Sequence, residues 1–334
     1  MTKLIIFGAS QAGKNALKAM RGDFDIIGFC DNDPMKRGTR FCDLPVWGAD
    51  DLVDLNWSRI LIASCYAEEI YAQLLAMGVS PDRVEFSKAP PNLEHFAQWK
   101  TKHVNRLSRF KNRHASADCF IIGNGPSLNL TNLGALNQFY SFGLNKIFLM
   151  FERSPFRPTY HVAINSLVIE QSAHELEDYA FPSFVSYASG KSLVEASERL
   201  FFIHTAHTYA FSADATEAVI EGNTVTYAAM QLAYFMGFKR VFLIGVDHSF
   251  SASGKPHEKQ KMGETDPNHF DPRYFANQDW HLPDLEGSAA FYRLAKDAFE
   301  ADGRMIYDAT IGGKLDVFPK LDFEEALKMA QPRV

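Results

Sequence analysis

Cysteine is scarce in this chain: 4 residues in 334, at positions 30, 42, 65 and 119. That excludes a disulfide framework, and no pair has the spacing of metal ligands. Cys30 and Cys119 lie in apolar strand patterns and read as small buried hydrophobes. Long hydrophobic runs are absent too, with nothing near the roughly 18 uninterrupted apolar residues of a membrane span. The sequence starts on a strand pattern at 3–7 with no basic, apolar leader. It therefore reads as a soluble cytoplasmic protein that is not integral to a membrane. Excess positive charge is missing as well: the formal net charge is −6. Nucleic acid is thereby disfavoured as a partner, because phosphate contacts need clustered Lys and Arg. The most basic stretch, 100–114, reads as a solvated helix face.

What is present is globular, with 46% hydrophobic and 22% charged residues, in a length that suits two domains. Apolar strand patterns alternate with helical ones, which implies parallel sheets with right-handed crossovers. The first set has strands at 4–7, 25–30, 59–63 and 84–86, with helices through about 20 and over 67–77. A second set begins at 119–122 and continues with strands near 142–145, 160–165, 201–204, 240–244 and 304–307. Helices follow residue 168 and occupy 224–236 and 286–301, while 249–284 reads as a long polar loop. The expected fold is α/β, two Rossmann-like parallel-sheet domains in tandem. The expected domains are 1–88, a helical linker at 89–116, and 117–334. A homo-oligomer is compatible with this organisation.

Each set opens with a glycine loop after its first strand. In the first, Gly8 to Asn15 satisfies G-x-x-x-x-G-K but offers Asn15 where a P-loop needs Ser or Thr on magnesium. As a dinucleotide fingerprint it has Ser10 in place of the second glycine, with Asp31 at the end of the second strand. Gly8, Ser10, Gly13 and Asp31 are thus an accessory nucleotide-site candidate. In the second set, Gly123-Asn124-Gly125-Pro126-Ser127 follows the strand 119–122. Two glycines allow close backbone approach, and free N–H groups there suit a phosphate.

These motifs carry two resemblances. Residues 25–34 with Leu44-Pro45-Val46-Trp47-Gly48 resemble the N-terminal domain of bacterial sugar acyltransferases, over about 3–88. That likeness implies a nucleotide or nucleotide-sugar module, without the β-helix acyltransferase half. The second stretch, over about 117–320, resembles the 6-hydroxymethylpterin diphosphokinase (MptE)-like family, with its relatives the bacterial CMP-sialyltransferases and motility accessory factors. The residues that carry it are 121–128, Gly143-Leu144-Asn145, 164–171, Thr224-Val225-Thr226-Tyr227 and 243–247. The resemblance implies that Gly123, Asn124, Gly125 and Ser127 line the nucleotide phosphate. It also implies that Asn145 and Asn165 hydrogen-bond nucleotide or sugar, that Thr224 and Thr226 present hydroxyls, and that Asp247 joins the pocket. The tail 309–319 resembles the ending of surface-polysaccharide-associated members.

The long loop supplies His248, His257, His269 and His281. Inverting sugar transfer needs a base for the acceptor hydroxyl, and a loop histidine suits it. His281 lies nearer the following helix, His269 sits in the more polar motif, and both stand as candidates. Tyr274 and Tyr292 are candidates for the leaving phosphate. No metal site is assigned, since Asp247, His248 and His269 are far apart in sequence. The leading expectation is a transferase of bacterial surface glycan biosynthesis using a CMP-activated nonulosonic acid or similar nucleotide sugar. The acceptor would be a glycan or protein hydroxyl, and no cofactor is required. One alternative is a diphosphokinase needing magnesium and ATP, with Asp247, Asp266 and Asp271 as carboxylates. The other is a non-catalytic nucleotide-sugar-binding scaffold.

Overall fold

Two large sheets, the first mixed and the second all parallel, organise the chain, each inside its own compact unit: Met1–Lys102 with His207–Tyr209, and His103–Ala206 with Ala210–Val334. The computed structural model describes residues 2–64, 66–87, 103–207, 209–251 and 253–333. Cys65 and the 89–102 part of the expected linker lie outside the described residues.

In the first unit the strand order is Arg40–Phe41, Leu44–Trp47, Asp25–Cys30, Lys3–Phe7, Arg59–Ile62, Val84–Phe86. All pairings are parallel except that of Arg40–Phe41 with Leu44–Trp47. Helix Gln11–Met20 follows the first strand, as its amphipathic spacing requires, and buries Ala16 and Leu17 against Leu4 and Ile6.

The second unit holds a seven-stranded, all-parallel sheet. Its order is Leu200–Ile203, Ser183–Ser186, Tyr160–Ala163, Tyr140–Leu144, Asp118–Ile122, Arg240–Ile244, Met305–Asp308. The near-continuous apolar strands are explained by burial on both faces. Strand alternation sorts the side chains. Cys119, Ile121, Val241 and Leu243 face the layer of helices Val225–Phe235 and Leu285–Ala301. Phe120, Ile122, Phe242 and Ile244 face the opposite layer with helix Phe323–Met329 and Tyr274, Phe275 and Trp280. Helix Val225–Phe235 buries Ala228, Ala229, Met230, Leu232 and Ala233 completely, so small residues let it lie close on the sheet. Each large apolar side chain so buried contributes about 1.5–3 kcal/mol.

Three expectations are amended. Residues 103–116, expected as the end of a linker, supply Leu107 and Phe110 to the second unit's core. The strand Ser183–Ser186 was not expected, because Ser-Phe-Val-Ser mixes small polar with apolar residues. The long loop is not structureless: Lys259–Lys261 pairs antiparallel with Asp279–His281. Phe250, Phe270, Tyr274, Phe275, Trp280 and Leu282 form an apolar cluster with the sheet's face.

Candidate functional site: a crevice at the sheet's switch point

Strands Asp118–Ile122 and Arg240–Ile244 are neighbours, yet their onward connections leave in opposite directions, to Tyr140–Leu144 and to Met305–Asp308. Open α/β sheets bind ligands at such a switch point, outside the carboxyl ends of the strands. Here the two loops are zipped together. The N–H of Gly123 donates to Ile244 O at 2.8 Å, and that of Gly125 to Gly245 O at 2.9 Å. A Cβ at Gly123 would strike the Gly245 carbonyl, and one at Gly125 would strike the Asp247 carboxylate.

Asp247 fills the place read from sequence as a phosphate seat. The N–H of Ser127 donates to Asp247 Oδ1 at 3.1 Å and its hydroxyl donates to Oδ2 at 2.6 Å. The following Pro126–Leu130 is a five-residue 3-10 turn with no α-helical N-terminus to offer an anion. The glycines of this loop therefore admit a carboxylate of the same chain. Lys314 N donates to Asp247 O at 2.9 Å, and Val246 N donates to Thr310 Oγ1 at 3.1 Å, which fixes the aspartate's loop from its far side.

Unfilled acceptors lie one strand further along. Asn124 is 8% exposed; its Nδ2 donates to Leu144 O at 2.9 Å, which turns Oδ1 away to a position with no donor among the described residues. Asn145, ending the adjacent strand, adopts φ 47° and also carries a buried Oδ1 without a donor among the described residues. A left-handed backbone is tolerated by Asn better than by most residues. His161 holds that turn, with Nε2 2.7 Å from Asn145 O and Nδ1 2.8 Å from Ser183 Oγ. Buried acceptors without donors are rare and costly, and two of them lie here at neighbouring strand ends.

The expected histidines separate cleanly. His269 Nδ1 lies 2.7 Å from Asp266 Oδ2, with the aspartate side chain wholly buried and the imidazole 11% exposed. Asp266 Oδ1 accepts from Asn268 N at 2.8 Å. The imidazole stacks on Tyr274 at 3.9 Å and 3°. A carboxylate on Nδ1 fixes the tautomer and leaves Nε2 as the basic nitrogen. The next residue ties this dyad to the 123–127 loop, because Phe270 N donates to Asn124 O at 2.9 Å. His281 sits in the two-stranded ribbon opposite Lys259. Burial, then Lys259 and His257, hold its pKa below the usual value against the raising effect of Asp279. Asp266 as the orienting partner was missed in the sequence, although the i,i+3 spacing to His269 could have signalled it.

Other candidates turn out to be engaged within the fold. Asn165 caps helix Ser166–Gln171, its Oδ1 accepting from Leu167 N and Val168 N. Thr224 caps Val225–Phe235 by accepting from Thr226 N at 3.3 Å, and its hydroxyl lies 3.4 Å from Tyr292 Oη. Thr226 is buried, and Tyr292 is 2% exposed with its pKa raised by burial. Tyr274 is 1% exposed, its phenol accepting from Lys146 N and bonded to the Asn145 side chain. Both phenols thus lie buried and already bonded within the fold. Asp271 is held below the usual carboxylate range by its bonds to Arg273. Among the described residues no three His, Cys, Asp or Glu side chains converge as metal ligands. None of the described helices is long and apolar enough to cross a membrane.

In the first unit the equivalent switch point lies beside Gly8, whose Cβ would strike the Ala63 carbonyl. Asp31 Oδ2 accepts from Ala9 N at 2.8 Å and from Lys36 Nζ at 3.1 Å. Gly13 packs on the Gly8 carbonyl, and Ser10 stands at the helix start without a side-chain cap bond. Asp31 thus accepts the N–H of Ala9 in its own glycine loop, as Asp247 accepts that of Ser127 in the second unit.

Residues 1–85 match the C2185-like N-terminal family, and residues 91–253 match the family described as 6-hydroxymethylpterin diphosphokinase MptE-like. No curated protein matches the chain. Among solved structures, the chain is similar to the MAf glycosyltransferase from Magnetospirillum magneticum AMB-1, at 13% identity and a TM-score of 0.43. The similarity covers 99% of this chain and 58% of that one. The chain thus carries an MptE-like match over residues 91–253 and a C2185-like N-terminal match over residues 1–85.

Proposed function

We propose that the MptE-like unit is a transferase whose nucleotide-sugar donor lies in the switch-point crevice, with His269 as general base. The observation that carries this reading is the pair of oxygens without a donor among the described residues, Asn124 Oδ1 and Asn145 Oδ1, at adjacent strand ends. A nucleotide answers them with ring-amine and ribose hydroxyl donors. With Asp247 on Ser127, the 123–127 loop suits the ribose side of the ligand better than its phosphate.

Inverting transfer fits the dyad. The acceptor hydroxyl attacks the anomeric carbon as the bond to the nucleotide phosphate breaks, and its proton passes to His269 Nε2. Asp266 stabilises the resulting imidazolium. A CMP-linked nonulosonic acid is the favoured donor and a glycan or protein hydroxyl the favoured acceptor. The family match keeps a magnesium-ATP diphosphokinase as the second reading. Against it, Asp247, Asp266 and Asp271 each bond to a different partner rather than to one shared point. Turnover assayed with CMP-sugar donors tests the proposal: His269→Ala abolishes it and His281→Ala retains it. Magnesium-dependent turnover of ATP by the His269→Ala variant establishes the kinase instead.

A further inference from the structure

Lys146 follows Asn145 at the carboxyl end of Tyr140–Leu144 and is 3% exposed. Its amine reaches three neutral acceptors: Gln171 Oε1 at 2.8 Å, Tyr274 O at 2.7 Å and Gln278 Oε1 at 2.6 Å. Its Nζ also lies 4.7 Å from the centre of the Phe275 ring. Gln171 belongs to helix Ser166–Gln171, whereas Tyr274, Phe275 and Gln278 belong to the 249–284 insertion. Gln171 strengthens the same join by donating to Asp279 O at 2.9 Å. One buried amine thus fastens the insertion that carries His269 to the body of the sheet.

We propose that Lys146 is a titratable latch on this insertion, and that loss of its proton tightens the closed state. The consequence for ligand exchange rests on the crevice reading above, whereas the latch itself does not. Three hydrogens meeting three acceptors make the ammonium's geometry complete, but its charge is balanced only at a distance. The charged or titratable groups facing it are Glu175 from the neighbouring helix and Asp266 from the insertion, with the Tyr274 phenol beside them. Burial outweighs both carboxylates and lowers the amine's pKa from 10.5 to about 8.

The sign follows from linkage. An opened insertion exposes the amine, returns it toward its ordinary pKa and lets it bind a proton more tightly than the closed state does. Raising the pH from 7 to 9 therefore favours closure, by roughly tenfold for a shift of this size. At neutral pH the buried charge keeps opening easy.

Hydrogen exchange of the unliganded full chain at pH 7.0 and 9.0, corrected for intrinsic rates, tests this without any nucleotide. Peptides over 262–282 are expected to gain roughly tenfold protection at pH 9.0, while 240–244 stays unchanged. Lys146→Met removes that pH dependence, whatever its effect on the protection itself. Gln278→Leu keeps the lysine and a measurable pH dependence, which guards against a Lys146→Met variant that fails to fold. Equal protection of 262–282 at the two pH values in the unmodified chain overturns the latch. So does a pH dependence that survives in Lys146→Met. Failure of CMP to bind leaves these outcomes untouched, so the two readings fall separately.

Discussion

The hydroxyl of Ser127 donates to Asp247 Oδ2 at 2.6 Å while its N–H donates to Oδ1 at 3.1 Å, across 120 residues of sequence. This pairing joins the loops after the first and sixth strands of the second sheet, in chain order, where the strand order reverses. Hydrogen bonds to a charged acceptor contribute about 1.5–3 kcal/mol. Asp247→Ala is expected to lower stability by about 2 kcal/mol, read from the urea midpoint. Gly125→Ala, whose Cβ meets the same carboxylate, is expected to do likewise. An unchanged midpoint in both variants contradicts the pairing.

A second prediction concerns His269. With Asp266→Asn the imidazole loses the carboxylate that fixes its tautomer and stabilises its charged form. Turnover is expected to fall by ~100-fold or more while KM for the donor changes little. Steady-state kinetics across pH 5–9 measure this. A variant that loses KM alone shows Asp266 to be a binding residue.

Acid sensitivity follows from two buried histidines. Burial lowers the pKa of His161 to about 4, against the raising effect of its bond to the Asn145 carbonyl, and burial and Arg113 bring His114 to about 4. The unfolded chain binds these protons first, near the ordinary value of 6.5. Stability is therefore complete above that value and is lost as pH falls toward 4, by ~3 kcal/mol for His161. Urea midpoints across pH 7 to 4 are expected to fall less steeply in His161→Asn.

These sites show where sequence was readable. The strand Arg240–Ile244 was legible because a double-sided core demands unbroken apolar residues, and Asp25–Cys30 for a similar reason. Ser183–Ser186 and the ribbon of Lys259–Lys261 with Asp279–His281 were not, since small or polar residues carry no period that marks burial. The positions of Asn124, Asn145 and Asp247 near one another followed from their places after strands. Their bonding did not. That Asp247 takes Ser127's donors, and that Asn165 is a cap, depends on pairings distant along the chain or on helix starts that sequence places only within a few residues.

The central claim is that a nucleotide satisfies the orphan acceptors beside the switch point. Calorimetric titration of CMP into the unmodified chain and into Asn145→Gly tests it most directly, because glycine keeps the φ of 47° and deletes only the amide. The account predicts metal-independent binding of CMP, at least tenfold weaker in Asn145→Gly. Equal CMP affinity in the two proteins, or no binding of CMP by the unmodified chain, would contradict it.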